Sequence, residues 1–283
     1  MSETPRFVLA PDGARIAVFE SGRSTRRRPP VALVHGATAD HTTWRTSGPL
    51  LARRRRLHAL DRRGRGASGD GAGEAYSIEL EYADLAAVAE DLAGRHGGPV
   101  DVVGHSYGGR IALGAALRTG AIRRVVCYEG APPAPRERGY QDADAGTLGR
   151  VEALVAAGDR DEALATFMRE IVGMPAAELA AFRADPIWPR RAAAIDTTIR
   201  ELRAEVEPAA GLDALAAVRQ PVLQILGGAS TEPFRAATEA LAGRLRNGRT
   251  VVIDGARHAA HHTHATEFAA AVDAFFHDPD LAD

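Results

Sequence analysis

Short, mostly apolar runs alternate with longer stretches of helical period along much of the chain. Val31-Ala32-Leu33-Val34, Leu57-His58-Ala59-Leu60, Pro99-Val100-Asp101-Val102-Val103, Val125-Val126-Cys127-Tyr128, Val222-Leu223-Gln224-Ile225-Leu226 and Thr250-Val251-Val252-Ile253 have strand length and are rich in β-branched residues. Runs this apolar suit a sheet covered on both faces. Between them, helices are predicted over about 44–51, 78–95, 234–245 and 266–276, and directly after Ser106. Leu85, Val88 and Leu92 fall at helical spacing and read as a core stripe. Near the start, Phe7-Val8-Leu9 and Ile16-Ala17-Val18-Phe19 flank Pro11-Asp12-Gly13, which predicts a hairpin. The following loop, with Arg26-Arg27-Arg28, reads as solvated surface.

From Ala131 the pattern changes. Ala131-Pro132-Pro133-Ala134-Pro135 breaks the chain, and helical segments without strands run from about 147 to 215. Alternating strands and helices elsewhere predict a mostly parallel α/β sheet with helices on both faces. That divides the chain into a core of 1–130 and 216–283 and a helical cap, or lid, inserted at 131–215. Parallel sheets place ligands at the carboxyl ends of their strands. His35-Gly36, Asp61, Ser106, Glu129, Ser230 and His258 all lie at or just beyond such ends.

Composition narrows the chemistry. The chain has 283 residues, a formal net charge of -2 and one cysteine, Cys127. This charge predicts neither nucleic acid nor an anionic membrane as partner. Arg53 to Arg56 read as solvated arginines, since nothing aromatic interleaves them. Every basic side chain is arginine, so lysine Schiff-base chemistry is excluded. Cys127 lies in an apolar run, which suits a buried structural thiol in a reducing compartment. No signal segment or membrane-length apolar run is present, so the expectation is a cytoplasmic protein acting on a small molecule. A homodimer is compatible with this reading. No cofactor is called for. The glycine-rich loop at 61–69 lacks the spacing of a nucleotide site. His261, His262 and His264 have no matching carboxylate or cysteine set for a metal.

One stretch carries the chemistry, Gly104-His105-Ser106-Tyr107-Gly108. Preceded by a strand and followed by a helix, G-x-S-x-G places a serine on a sharp turn with its oxygen clear of the backbone. N–H groups of the first helical turn then face the same space, and the one after the nucleophile belongs to Tyr107. A serine hydroxyl needs a base to take its proton. His258, after the last strand and a short glycine turn, is the best candidate.

The chain resembles the α/β-hydrolase superfamily. The resemblance covers nearly its whole length and rests on five motifs in order. These are Val34-His35-Gly36, Asp61-Arg62-Arg63-Gly64-Arg65-Gly66-Ala67-Ser68, the Ser106 stretch, Pro221-Val222-Leu223-Gln224-Ile225-Leu226-Gly227-Gly228, and Gly255-Ala256-Arg257-His258. It implies a doubly wound, eight-stranded sheet, a nucleophile–acid–histidine order and a second oxyanion donor at Ala37. The family usually carries aspartate shortly after the strand ending Leu226-Gly227, where this chain has Ser230. Serine cannot carry the charge that stabilises an imidazolium. Some branches place the acid after the preceding strand, where Glu129 stands. Glu129 is therefore the expected acid and Glu232 the alternative.

Ser106 rather than aspartate favours an acyl-enzyme route over epoxide or carbon–halogen cleavage. The expected activity is hydrolysis of a small or medium apolar carboxylic ester, with thioester or carbon–carbon bond hydrolysis as alternatives. Trp44, Phe167, Met168 and Trp188, with Met174 and Ile187, are candidates for the apolar pocket. A ligand-binding protein, or a cyclase or lyase, on the same fold is the alternative of another class.

Overall fold

The computed structural model describes every residue except 1, 3, 23–27, 72–74, 134–137 and 282–283, and leaves out the side chains of 138–145 as well. Arg26 and Arg27 of the expected surface loop, and Ala134 and Pro135 of the expected break, lie outside the described residues.

Eight strands form one sheet: β1 Arg6–Leu9, β2 Arg15–Ser21, β3 Val31–Val34, β4 Leu57–Leu60, β5 Val100–His105, β6 Ile122–Tyr128, β7 Val222–Gly227 and β8 Gly248–Ile253. Their order is β1-β2-β4-β3-β5-β6-β7-β8. β1 and β2 form the expected antiparallel hairpin, and β3 to β8 pair in parallel. At the hairpin turn Gly13 has φ of 85° and the Ala14 N–H donates to Asp12 Oδ1. The mostly parallel sheet expected from the sequence is the one observed.

Side chains alternate across the sheet, so neighbouring residues of one strand enter different cores. Val102 and Val125 pack with Leu85, Val88 and Leu92 of the helix Ile78–His96. Val103 and Val126 pack on the other face with Trp44, Phe268 and Phe275. β8 is the exception, an edge strand with exposed valines at 251 and 252.

Two expectations about helices are corrected. The helix expected over 44–51 is split into the 3-10 turn His41–Trp44 and the short helix Gly48–Ala52. Pro49 has no N–H to give to the preceding turn, so it starts a helix and cannot continue one. The first long helix after β6 spans Arg138–Ala156 and so begins before 147. Helices then follow one another up to Leu212–Leu215, without a strand among the described residues. Val151, Leu164, Phe167, Met168, Leu179, Trp188 and Ile195 give this insertion its own apolar cluster. Its last part, through Ala204, Ala210, Leu212 and Leu215, packs into the main core instead. Among the described residues no helix is long and apolar enough to cross a membrane.

Candidate functional site

Register brings two of the candidate residues side by side. His105 pairs with Tyr128 and Tyr128 with Ile225, so β5, β6 and β7 end almost level. The residues that leave β5 and β6 are Ser106 and Glu129. The Ser106 N–H donates to Tyr128 O at 2.8 Å, and the Glu129 N–H to Ile225 O at 3.1 Å. Both residues hold positive φ, 54° and 44°. With Thr38 at 56° they are the non-glycine residues in that region among the described residues. Such strain persists only where surrounding structure imposes it, and it gathers at working sites.

Close packing imposes it at Ser106. A β-carbon on Gly104 would lie 2.2 Å from Gly108 O, and one on Gly108 would lie 2.4 Å from the carbonyl oxygens of Val34 and His35. Only glycine lets the helix Tyr107–Ala116 pass this close to β3 and β5. Gly36 abuts the nucleophile candidate: a β-carbon there would come within 3.0 Å of Ser106 Cβ. The loop holding Ala37 therefore runs beside Ser106. Among the described residues neither the Ala37 nor the Tyr107 N–H has a hydrogen-bond acceptor.

The carboxylate of Glu129 is buried and fully engaged. Its Oε2 lies 2.6 Å from His258 Nδ1. Its Oε1 accepts from the Gly227 N–H at 2.7 Å and from Ser230 Oγ at 2.5 Å. Glu232, the alternative acid, has a side chain 77% exposed and pairs with Arg235. With Nδ1 occupied, the nitrogen of His258 left for proton transfer is Nε2. The ring stacks on Phe234 with centroids 4.2 Å apart. Ser106 and His258 line one cavity; no hydrogen bond joins them among the described residues, which is common for such pairs before substrate arrives.

Sequence reasoning missed three supports. The Tyr128 hydroxyl donates to Arg257 O and accepts from the Ala260 N–H, so it holds the chain on both sides of His258. His105 Nε2 bonds His258 O at 2.8 Å. Ser230, which from sequence stands at a strand end in place of the family's acid, is the third, donating to Glu129 Oε1. The signal for Tyr128 was its position one residue before Glu129, at the end of an apolar strand. Burial holds the pKa of His35, His105 and His261 well below the usual histidine range and that of His262 down at about 4. Among the described residues, atoms of metal-ligand type converge at Asp40, His41 and Asp61. There Asp40 and Asp61 already accept backbone N–H groups from Thr42, His41 and Ala67.

The cavity measures about 1250 Å³. Ser106, Tyr107, Ala37, Glu129 and His258 form the sheet side of its wall, and Phe167, Ile171, Val172 and Leu202 of the insertion face them. Of the apolar candidates, Phe167 lines it. Trp44, Met168 and Trp188 do not, and neither do Met174 and Ile187. Trp44 is fully buried against His261 and Phe268 under the sheet, and Met168 and Trp188 fill the insertion's own core. Bulky apolar residues at helical spacing satisfy a core before they reach a ligand.

Residues 31–271 match the sequence profile described as the Alpha/beta hydrolase family. A crystal structure of an alpha/beta hydrolase from Sphaerobacter thermophilus superposes with a TM-score of 0.76 at 30% identity, covering 96% of this chain and 100% of that one. A 2-hydroxy-6-oxo-2,4-heptadienoate hydrolase of Pseudomonas putida is 39% identical over 129 residues, 44% of each chain. A "Probable oxidoreductase EphD" of Mycobacterium tuberculosis is 37% identical over 124 residues, 44% of this chain. The chain spans about a fifth of the length of that protein, 20% of it being matched.

Proposed function

Because the chain belongs to the alpha/beta hydrolase family, we propose that it is a serine hydrolase that cleaves a carboxylic ester of small or medium apolar character through an acyl-enzyme at Ser106. The observation that carries this reading is the 2.6 Å contact of Glu129 with His258 Nδ1, made beside a cavity that Ser106 and His258 share. In this mechanism His258 Nε2 takes the Ser106 proton as Oγ attacks the carbonyl carbon. Glu129 holds the ring in the required tautomer and stabilises the imidazolium that forms. The N–H groups of Ala37 and Tyr107 receive the developing oxyanion. His258 then gives the proton to the departing alcohol. Water then adds to the acyl carbon, losing a proton to the same nitrogen, and as the acyl–Oγ bond breaks His258 returns that proton to Ser106 Oγ and the acid leaves. The insertion at 131–215 serves as the cap, and Phe167, Ile171 and Val172 supply the apolar surface for the acyl chain.

The test is covalent labelling of Ser106 by a fluorophosphonate, read by mass spectrometry of the intact protein and its peptides. A single adduct on Ser106, absent from Ser106→Ala, is the expected result, together with turnover of p-nitrophenyl esters. Well-folded protein that takes no label overturns the reading.

A second reading, carbon–carbon bond hydrolysis, is supported by the partial match to the heptadienoate hydrolase. It uses the same three residues. Consumption of 2-hydroxy-6-oxo-2,4-heptadienoate, compared with ester turnover on the same preparation, separates the two.

A further inference from the structure

The loop that holds Ala37 is tied down on both sides, and one helix of the insertion takes part in both ties. On one side the Gly36 carbonyl accepts from Arg62 Nη1 at 3.1 Å and bonds His35 Nδ1 at 2.8 Å. The Arg62 backbone N–H donates to His35 Nε2 at 3.0 Å, so the proton of this neutral ring sits on Nδ1 and is donated to Gly36 O. Arg62 is gripped in turn by Glu81, at 2.7 Å to both oxygens, and by Glu201 Oε1 at 2.8 Å. On the other side the Thr38 N–H donates to Thr198 Oγ1 at 3.2 Å, with Thr38 held at φ of 56°. Arg65 joins the two ties, donating to Thr198 Oγ1 at 3.0 Å and to Glu201 Oε1 at 2.6 Å. Thr198 and Glu201 lie one turn apart on the insertion helix Ile195–Ala204, and both are buried.

In a trans peptide the carbonyl and the following N–H point in opposite directions. Holding the Gly36 carbonyl toward Arg62 therefore turns the Ala37 N–H away from it. Buried ion pairs add little stability over apolar packing of the same shape, so what this cluster supplies is position.

We propose that Thr198 and Glu201, acting through Arg62 and the Thr38 N–H, are positioning residues that set the direction of the Ala37 oxyanion donor, so that placement of the insertion governs the transition state and not only substrate access. This rests on the serine-hydrolase reading above. A donor aimed at the oxyanion acts in the transition state, and losing one costs roughly 100- to 1000-fold in kcat. A donor turned partly aside loses less.

The test compares Thr198→Val, Thr198→Ser and Glu201→Gln in the full chain, using the best p-nitrophenyl ester and a trifluoromethyl ketone that forms a tetrahedral adduct with Ser106. Thr198→Val and Glu201→Gln are expected to lose about 10- to 100-fold in kcat and a similar factor in ketone affinity, with KM within about threefold. Thr198→Ser, which keeps the oxygen, is expected within about threefold of the parent. Circular dichroism and Tm confirm folding. If Glu201→Gln does not fold, Thr198→Val, which keeps the side-chain volume, decides. Folded variants with kcat within twofold of the parent, or with unchanged ketone affinity, overturn the proposal and leave the hydrolase reading standing. A parent protein that neither labels at Ser106 nor turns over ester removes that reading, and this proposal with it.

Discussion

The Ser230 hydroxyl donates to Glu129 Oε1 at 2.5 Å. The position where the family pattern leads one to expect an acid thus holds a serine that supports an acid supplied by the neighbouring strand. With the Gly227 N–H on the same oxygen, Glu129 keeps Oε2 for His258. Glu129→Gln is expected to lower kcat by roughly 1000- to 10,000-fold, because an amide neither fixes the tautomer nor offsets the imidazolium charge. Glu232→Gln, on an exposed side chain, is expected to leave kcat within about twofold. Ser230→Ala removes one of two donors to Oε1 and is expected to cost about tenfold or less. Steady-state kinetics of the three variants on one ester check the order. Equal losses for Glu129→Gln and Glu232→Gln contradict it.

Gly108→Ala tests the packing that presents Ser106. The added methyl would stand 2.4 Å from two backbone oxygens, of Val34 and His35, and neither is the end of a flexible side chain. Backbone must move, so a loss of about 3 kcal/mol or more is expected, read as a lower midpoint in urea, with ester turnover lost in whatever folds. The control is Gly94→Ala, on an open surface of the helix Ile78–His96, where nothing lies within 4 Å of the new carbon. It is expected to stabilise by up to about 1 kcal/mol.

Acid stability follows from the buried imidazoles. Burial keeps His35, His105 and His261 neutral well below the usual range, and lowers His262 to about 4 and His58 to about 3. Below pH about 6.5 the unfolded chain takes up protons at these positions and the folded protein does not. Stability is therefore complete above that pH and falls as the pH drops, by about 1.4 kcal/mol per unit for each ring still neutral. Calorimetry from pH 7.5 to 5 is expected to show a Tm that is flat at first and then falls steeply below about 6.5. A constant Tm down to pH 5 rules this out.

Arg191 is buried, and its pKa is lowered to about 10 by that burial. Its hydrogen bond among the described residues is to Thr43 Oγ1 at 3.2 Å, with no carboxylate within ion-pair distance. A buried cation without a close counter-ion costs more than an apolar residue of similar shape. Arg191→Met is therefore expected to raise Tm by about 3 °C or more, measured by thermal unfolding at pH 7.5. A fall in Tm contradicts the argument.

Much of the site was legible because its parts are local. Gly104, Ser106 and Gly108 announce a sharp strand-to-helix turn within five residues, and the φ of 54° at Ser106 is that turn. His258 follows a strand and a glycine turn. The apolar wall was legible only at Phe167. Trp44, Met168 and Trp188 have the chemistry of pocket residues, but three-dimensional packing sent them into closed cores and left Ile171, Val172 and Leu202 at the cavity. Hydrophobicity says that a side chain leaves water, not which apolar surroundings it finds.

By itself the sequence determined the alternation of strands and helices, the insertion among them, the candidate serine and histidine, and two candidate carboxylates. These follow from period, turn chemistry and residue type, which act over a few positions. The choice between Glu129 and Glu232 belonged to the tertiary structure. Register aligns the ends of β5, β6 and β7, and that alignment brings one carboxylate to 2.6 Å from His258 while the other stays in solvent. The link from Thr198 and Glu201 to the Ala37 loop was equally invisible in the sequence. It joins residues more than a hundred positions apart, through charges that become strong only when folding removes them from water.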